Sequence, residues 1–380
     1  MEIALWLCLI PITWAAIAHF AFKRTITWKE GLLQGGGIAL VVLLIYGCMA
    51  YSNTADHEIL NGQVTGKKQT WTSCSHSYSC NCYTTCSGTG SSRSCTRHCS
   101  TCYEHSNDWD WDVFTTVGNI EIDRVDRRGS REPPRWTAVQ IGEHAAVTHT
   151  YTNYVKAAPS SLFNVKLAET EAKSKAAIIP QYPRIYDYYR VDHTIDIQAG
   201  VANRKAWDAE LDEVLKTMGS ARQVNVVLVF VGKQGREYKD TLERAWLGGK
   251  KNDVVIVAGV TGTKIDWVEA FTFGKSSGNG MLAVKMRDEL QKYGTTENAK
   301  EGVAVITKVI ASDFHRKNMK DYEYLKAEGG PSAKQVSWLV GIVLVLLMVT
   351  TFLLHKYDVF NEEFYDRHPN IRYIRNSFRR

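Results

Sequence analysis

Three uncharged apolar runs limit what this chain can become. They cover residues 3–22 (IALWLCLIPITWAAIAHFAF), 31–51 (GLLQGGGIALVVLLIYGCMAY) and 336–354 (VSWLVGIVLVLLMVTTFLL). Each is close to the ~20 residues that a helix needs to cross the hydrocarbon layer. A helix in a soluble core rarely goes so long without a charged side chain, so all three read as transmembrane helices, Pro11 in the first included. The mean hydropathy of the whole chain is only −0.24, so the apolar residues are concentrated in these runs.

Flanking charge gives the spans a direction. Met1-Glu2 precedes the first run and Lys23-Arg24 follows it, the reverse of a cleaved signal peptide. The reading is a retained helix, 1–22, with its N-terminus outside. The link 23–30 carries Lys23, Arg24 and Lys29 and is expected in the cytoplasm. The tail 355–380 carries Lys356, Arg367, Arg372, Arg375, Arg379 and Arg380; it is expected inside too, against anionic headgroups of the lipid bilayer. Residues 52–335 then lie on the extracytoplasmic side, which is the periplasm if the source is bacterial. The net charge of +6 is spread among interleaved acids and bases, which argues against a nucleic-acid partner.

The polar body divides by composition into a Cys-rich module (52–112), a β-rich connecting region (113–184) and a regular zone (185–328). In that zone Trp207, Leu211, Val214, Leu215 and Met218 recur at helical spacing, with Gly219 as a stop. Residues 224–231 (VNVVLVFV) and 253–260 (DVVIVAGV) read as buried strands. Tyr238, Leu242 and Trp246 mark a helix between them, so the two strands should be parallel. Residues 265–273 alternate and can pair back as a hairpin. Helices are expected over 281–293 and, as one long element, 296–327. The fold class is therefore α/β, a mixed sheet flanked by helices, with a small Cys-rich module and three membrane helices.

The order strand, helix ending at Ala245-Trp246-Leu247-Gly248, then Lys250-Lys251-Asn252-Asp253 and a second aliphatic strand resembles the TPM domain. The resemblance covers about residues 191–328. It implies a mixed sheet flanked by helices beside a membrane anchor, with phosphatase or divalent-ion-binding relatives. Asp253 is the acidic position carried over as a cofactor-binding residue, for calcium or magnesium. Where the family has a Gly-rich segment with Gly-Leu-Glu, this chain has Ala270-Phe271-Thr272-Phe273-Gly274-Lys275. The N-terminal arrangement is also similar to membrane proteins encoded by large tailed bacteriophages, which implies a viral or bacterial inner membrane.

Seven of the nine cysteines lie outside the spans: Cys74, Cys80, Cys82, Cys86, Cys95, Cys99 and Cys102. Cys8 and Cys48 lie within spans, where a thiol packs as a small apolar group. The segment around the seven is too poor in apolar residues to fold on a core alone, so it needs staples. Disulfides suit an oxidising compartment, but seven is odd and leaves one thiol free or paired between chains. Zinc is the other staple, with Cys80, Cys82, Cys99, Cys102 and His105 as ligands, and His76 and His98 nearby. Both stay open. Residues 108–112 (DWDWD) read as a strand with tryptophans in the core and aspartates in water; a calcium site would need more oxygens than one strand face supplies.

No His-Glu-x-x-His or phosphate-loop motif occurs, and Gly274-Lys275-Ser276 reads as a turn. Asp192-His193 and Asp313-Phe314-His315 pair an acid with an imidazole, an arrangement usually solvated. Gly31-x-x-x-Gly35, with Gly36 and Gly37, gives the second span a smooth packing face. The favoured reading is a membrane-anchored extracytoplasmic scaffold or assembly protein, homo-oligomeric through its spans and its outer domain. The alternative is a TPM-type phosphatase or divalent-metal-dependent hydrolase near Asp253.

Overall fold

A computed structural model describes residues 2–21, 26–88, 93–158, 177–273 and 279–357. Helices α1 (Glu2–Ala21) and α2 (Trp28–Thr54) open the chain. Strands β1 (Ala55–Thr72), β2 (Ser77–Ser87), β3 (Ser94–Tyr103), β4 (Asp108–Thr115) and β5 (Gly118–Ile122) follow. Next come α3 (Pro134–Ala138), β6 (His144–Thr152) and the short α4 (Tyr154–Ala157). After them come β7 (Thr194–Ile197), α5 (Arg204–Arg222), β8 (Asn225–Val231) and α6 (Tyr238–Ala245). The polar body ends with β9 (Asp253–Thr261), β10 (Lys264–Thr272), α7 (Gly280–Tyr293) and α8 (Ala299–Asp313). A 3-10 segment (Met319–Glu328) leads to α9 (Ala333–Tyr357). The chain forms two compact units: 1–56 with 152–164 and 319–380, and 57–151 with 165–318.

In the first unit α1, α2 and α9 are each long and apolar enough to cross a membrane. They pack through Leu7, Ile38, Val42, Tyr46, Leu339 and Val343. A Cβ added at Gly35 would stand 3.0 Å from the Ala15 Cβ and 3.2 Å from the Pro11 carbonyl. The Gly31–Gly35 face is thus taken up by α1 of the same chain. Gln34 Nε2 donates to Thr350 Oγ1 (2.7 Å) and Thr351 Oγ1 (2.9 Å), fastening α2 to α9 where lipid offers no competing partner. The remaining faces, with Trp6, Leu32, Leu33 and Phe352 exposed, are what hydrocarbon would cover.

Among the described residues the second unit holds three sheets. In the first the order is β5-β4-β1-β6, over a core that includes Val64, Trp111, Val113, Ile122 and Tyr189. In the second the order is β10-β9-β8-β7, with β7, β8 and β9 parallel and β10 antiparallel to β9. Every residue of β8 is buried because both faces of this sheet are covered. On one face Leu228, Phe230 and Ile256 meet Trp207, Leu282 and Ile306 of α5, α7 and α8. On the other, Val227, Val229 and Val255 meet Tyr238 and Leu242 of α6. The expected α/β core and its parallel and antiparallel pairs are therefore present. The two sheets touch through Asn252 Nδ2 to Ile59 O (2.7 Å) and Asn61 Nδ2 to Asn225 Oδ1 (2.9 Å). The third sheet is the β2–β3 hairpin, mostly exposed on both faces.

Some elements depart from expectation for local reasons. The helix expected over 296–327 ends at Asp313, because Asn279 pairs with both backbone groups of His315 (2.9 Å each) and takes them from the helix ladder. Gly219 does not end α5, which continues to Arg222 and caps on a left-handed Gln223. The glycine serves a close approach instead, since a Cβ there would lie 2.5 Å from the Asn61 carbonyl. In β4 Trp111 is buried but Trp109 only half-buried, and Asp108 is fully buried rather than in water. The carboxylates of Asp110 and Asp112 take Arg124 and Thr70.

The Cys-rich segment is disulfide-bonded. Cys80–Cys102, Cys82–Cys99 and Cys86–Cys95 cross the hairpin. That corrects the zinc assignment to Cys80, Cys82, Cys99 and Cys102: antiparallel pairing faces β2 cysteines with β3 cysteines, and a disulfided sulfur has no thiolate to give a metal. Cys74, also a disulfide candidate, stays a free and buried thiol.

Candidate functional site

Three residues from separate elements converge in the second unit. His144 opens β6 on the first sheet, His193 precedes β7 on the second, and Asp212 lies on α5. Helix α5 is oriented by Trp207, Leu211 and Leu215 in the core, which leaves Asp208 and Asp212, one turn apart, on its flank. Asp208 Oδ1 accepts from the backbone N–H groups of His193 (2.7 Å) and Thr194 (2.9 Å), pinning the strand entry. His193 is therefore fully buried, not a solvated partner of Asp192, whose carboxylate accepts from Tyr186 Oη (2.8 Å).

Hydrogen bonding on the far side of each ring fixes what points into the site. His193 Nδ1 lies 2.9 Å from the Val226 carbonyl, an acceptor only, so Nδ1 carries the proton and Nε2 a lone pair. For His144 the argument runs through a relay. Asn225 Nδ2 donates to the Asp253 carboxylate (2.9 Å), so Asn225 Oδ1 accepts from Asn61 Nδ2 (2.9 Å). Asn61 Oδ1 is then left for His144 Nε2–H (3.2 Å), and His144 Nδ1 also presents a lone pair. Both lone pairs face Asp212 Oδ1, at 3.3 Å from His144 and 3.6 Å from His193. His193 Nε2 and Asp212 Oδ1 are buried without a hydrogen bond.

Three electron-pair donors within 4.8 Å of one another form a set that could hold a metal ion, or a proton shared with Asp212. Burial, then the neighbouring Asp208 and Asp192, push the Asp212 carboxyl up to about 8. Burial, then His193 and Lys216, hold His144 down at about 3, and burial lowers His193 as well. Two neutral imidazoles and one carboxylate are the donor set of open zinc or iron(II) centres. His144 and Asp212 line a pocket of about 370 Å³ together with Glu143, Tyr186, Tyr189, Arg190 and Lys216, while His193 is fully buried behind them and does not line it.

Asp253 lies elsewhere. It is 1% exposed, and its carboxylate accepts from Tyr182 Oη (2.9 Å), Asn225 Nδ2 (2.9 Å) and the Lys250 N–H (2.7 Å). With these hydrogen bonds filling its oxygens, it anchors the relay to His144. Calcium and magnesium prefer oxygen ligands, whereas the set at His144, His193 and Asp212 offers two nitrogens. Asp313 pairs with Lys285 (2.7 Å), and Gly274-Lys275-Ser276 lies outside the described residues. His105, expected beside the disulfided cysteines, instead sits with Cys74, His76 and Asp108.

Compared with known protein families, curated proteins and solved structures, the chain matches none.

Proposed function

We propose that the chain is a membrane-anchored metallohydrolase with a catalytic centre on His144, His193 and Asp212, acting on an anionic ester at the extracytoplasmic face. The observation that carries this reading is the set of inward lone pairs, fixed by outward hydrogen bonds, with His144 and Asp212 at the wall of a pocket. A bound zinc-class ion would supply a water of pKa near 7 as nucleophile. His144 and His193 hold the ion, Asp212 balances its charge, and Arg190 and Lys216 offer positive charge to the substrate. Three disulfides support an oxidising compartment, and the basic flanks of the spans support the same side. The TPM likeness of residues 191–328 agrees with hydrolysis but places the chemistry at Asp253, which lacks an opening to the pocket.

The homo-oligomeric scaffold is the second reading. Its glycine face is half used within the chain, at Gly31 and Gly35, while Gly36 and Gly37 stay open. Sizing in mild detergent tests it, and a clean monomer counts against it.

Hydrolysis of p-nitrophenyl phosphate by the full chain in detergent tests the leading reading. Chelation should abolish turnover, Zn²⁺ or Mn²⁺ should restore it and Ca²⁺ should not. His193→Ala should lower the rate by about 100-fold or more. Turnover indifferent to chelation or to His193→Ala, or metal-loaded protein that hydrolyses neither phosphate nor carboxyl esters, overturns the assignment.

A further inference from the structure

The disulfide ladder leaves Cys74 over, between β1 and β2. It is only 7% exposed, which hinders pairing with a second chain. Beside it stand His76, His105 and Asp108, with one ligand atom of each residue within 4.8 Å of the others. His76 Nδ1 is 4.0 Å from the Cys74 sulfur and 3.6 Å from Asp108 Oδ2. Asp108 is fully buried, and its two oxygens differ. Oδ2 accepts from the Ser75 N–H (3.0 Å) and Ser75 Oγ (3.1 Å), and Arg124 Nη1 pairs with it at 3.0 Å. Oδ1 makes no hydrogen bond, nor does His105 Nδ1, although the two lie 2.9 Å apart.

We propose that Cys74, His76, His105 and Asp108 form a closed, structural zinc site, separate from the pocket at His144. One sulfur, two ring nitrogens and one carboxylate oxygen complete a tetrahedron. Thiolate and carboxylate offset the two charges of the ion, while Arg124 is offset by Asp110. Burial opposes ionisation of Asp108, but the Ser75 N–H, Arg124 and the Ser75 hydroxyl overcome it and hold the carboxyl well below its usual range. On binding, the Cys74 thiol gives its proton to solvent as the sulfur–zinc bond forms, and no oxidation state changes.

The site has a mechanical reason. An isolated two-stranded hairpin has no core of its own, and its three disulfides join β2 only to β3. Three of the ligands come from the two segments that connect this hairpin to β1 and β4, and the fourth, Asp108, opens β4. Zinc there staples the base of the hairpin to the first sheet.

Cobalt substitution of the full chain in detergent tests the site. Co²⁺ added to metal-free protein should give a thiolate-to-cobalt charge-transfer band that saturates at one equivalent. The band should vanish in Cys74→Ser and persist in His193→Ala, since the pocket centre has no sulfur. Chelating the zinc protein should speed maleimide labelling of Cys74 by about tenfold or more. If Cys74→Ser does not fold, Asp108→Asn should weaken cobalt binding by about 10–100-fold with the band kept. No band from protein with a free Cys74, a band unchanged in Cys74→Ser, unchanged affinity in Asp108→Asn, or Cys74 found disulfided to a second copy overturns the proposal.

Discussion

Asp212→Asn is expected to abolish metal binding between His144 and His193 and to flatten the response of the metal-free protein to alkaline pH. The Asp212 carboxyl titrates near 8 in the folded state against an ordinary 3.8. Between those values the folded protein keeps a proton that the unfolded chain releases, so stability falls as pH rises. The histidines act in the other direction. His144 titrates near 3 against 6.5, and His193 is lowered too, so below pH 6.5 the unfolded chain binds protons that the folded rings refuse. Their contribution is complete above pH 6.5 and is lost on acidification. The metal-free centre is therefore most favourable near pH 6.5. From there to pH 8 Asp212 costs about 1–2 kcal/mol, discounted because 32% of its side chain meets water. The asparagine removes that decline and the metal ligand together. In the native chain, metal affinity should rise with pH up to about 8, because binding displaces the shared proton. Thermal unfolding from pH 5 to 9 and zinc calorimetry measure both effects. An Asn variant that still binds zinc, or that declines as the native chain does, defeats the explanation.

The core was legible in the sequence because its strands are covered on both faces. That leaves β8 and β9 as continuous apolar runs, and the helix between them forces the parallel pairing. The centre was less legible, since its three ligands lie on elements whose meeting is a tertiary fact. Asp192-His193 looked solvated, and only the hydrogen bonds from Asp208 show why the backbone buries the histidine. One usable signal was present: Asp208 and Asp212 sit one turn apart beside the apolar stripe of α5. Asp253 lies three hydrogen bonds from His144 and positions the ring through Asn225 and Asn61. In the cysteine zone the odd count pointed to a leftover thiol. Close spacing within each strand suggested zinc ligands, but cross-strand pairing decides the chemistry.

Glu58→Ala is expected to destabilise the second unit by about 3–5 kcal/mol, because it strips a buried anion from two cations. Glu58 lies on β1, fully buried, with Oε1 3.1 Å from Lys251 Nζ, 2.8 Å from His149 Nδ1, and bonded to Arg316. Lys251 is itself buried, its ammonium 4.2 Å from the Tyr151 ring centroid. Burial lowers the Lys251 pKa, Glu58 works to raise it again and Arg316 lowers it further. At the size of this unit the loss corresponds to a fall in Tm on the order of 10 °C. Lys251→Met added to Glu58→Ala should recover part of it, since one unpaired charge then disappears. The effect should also reach the candidate centre. Glu58 and His144 belong to the first sheet, whereas Lys251 leads into β9, and His193 and Asp212 belong to the second layer. Loosening this contact should weaken zinc binding although Glu58 touches none of the ligands. A Glu58→Ala variant that melts within about 2 °C of the native chain would show that water reaches the cluster and that the sheets are held by apolar packing and the Asn252–Ile59 contact instead.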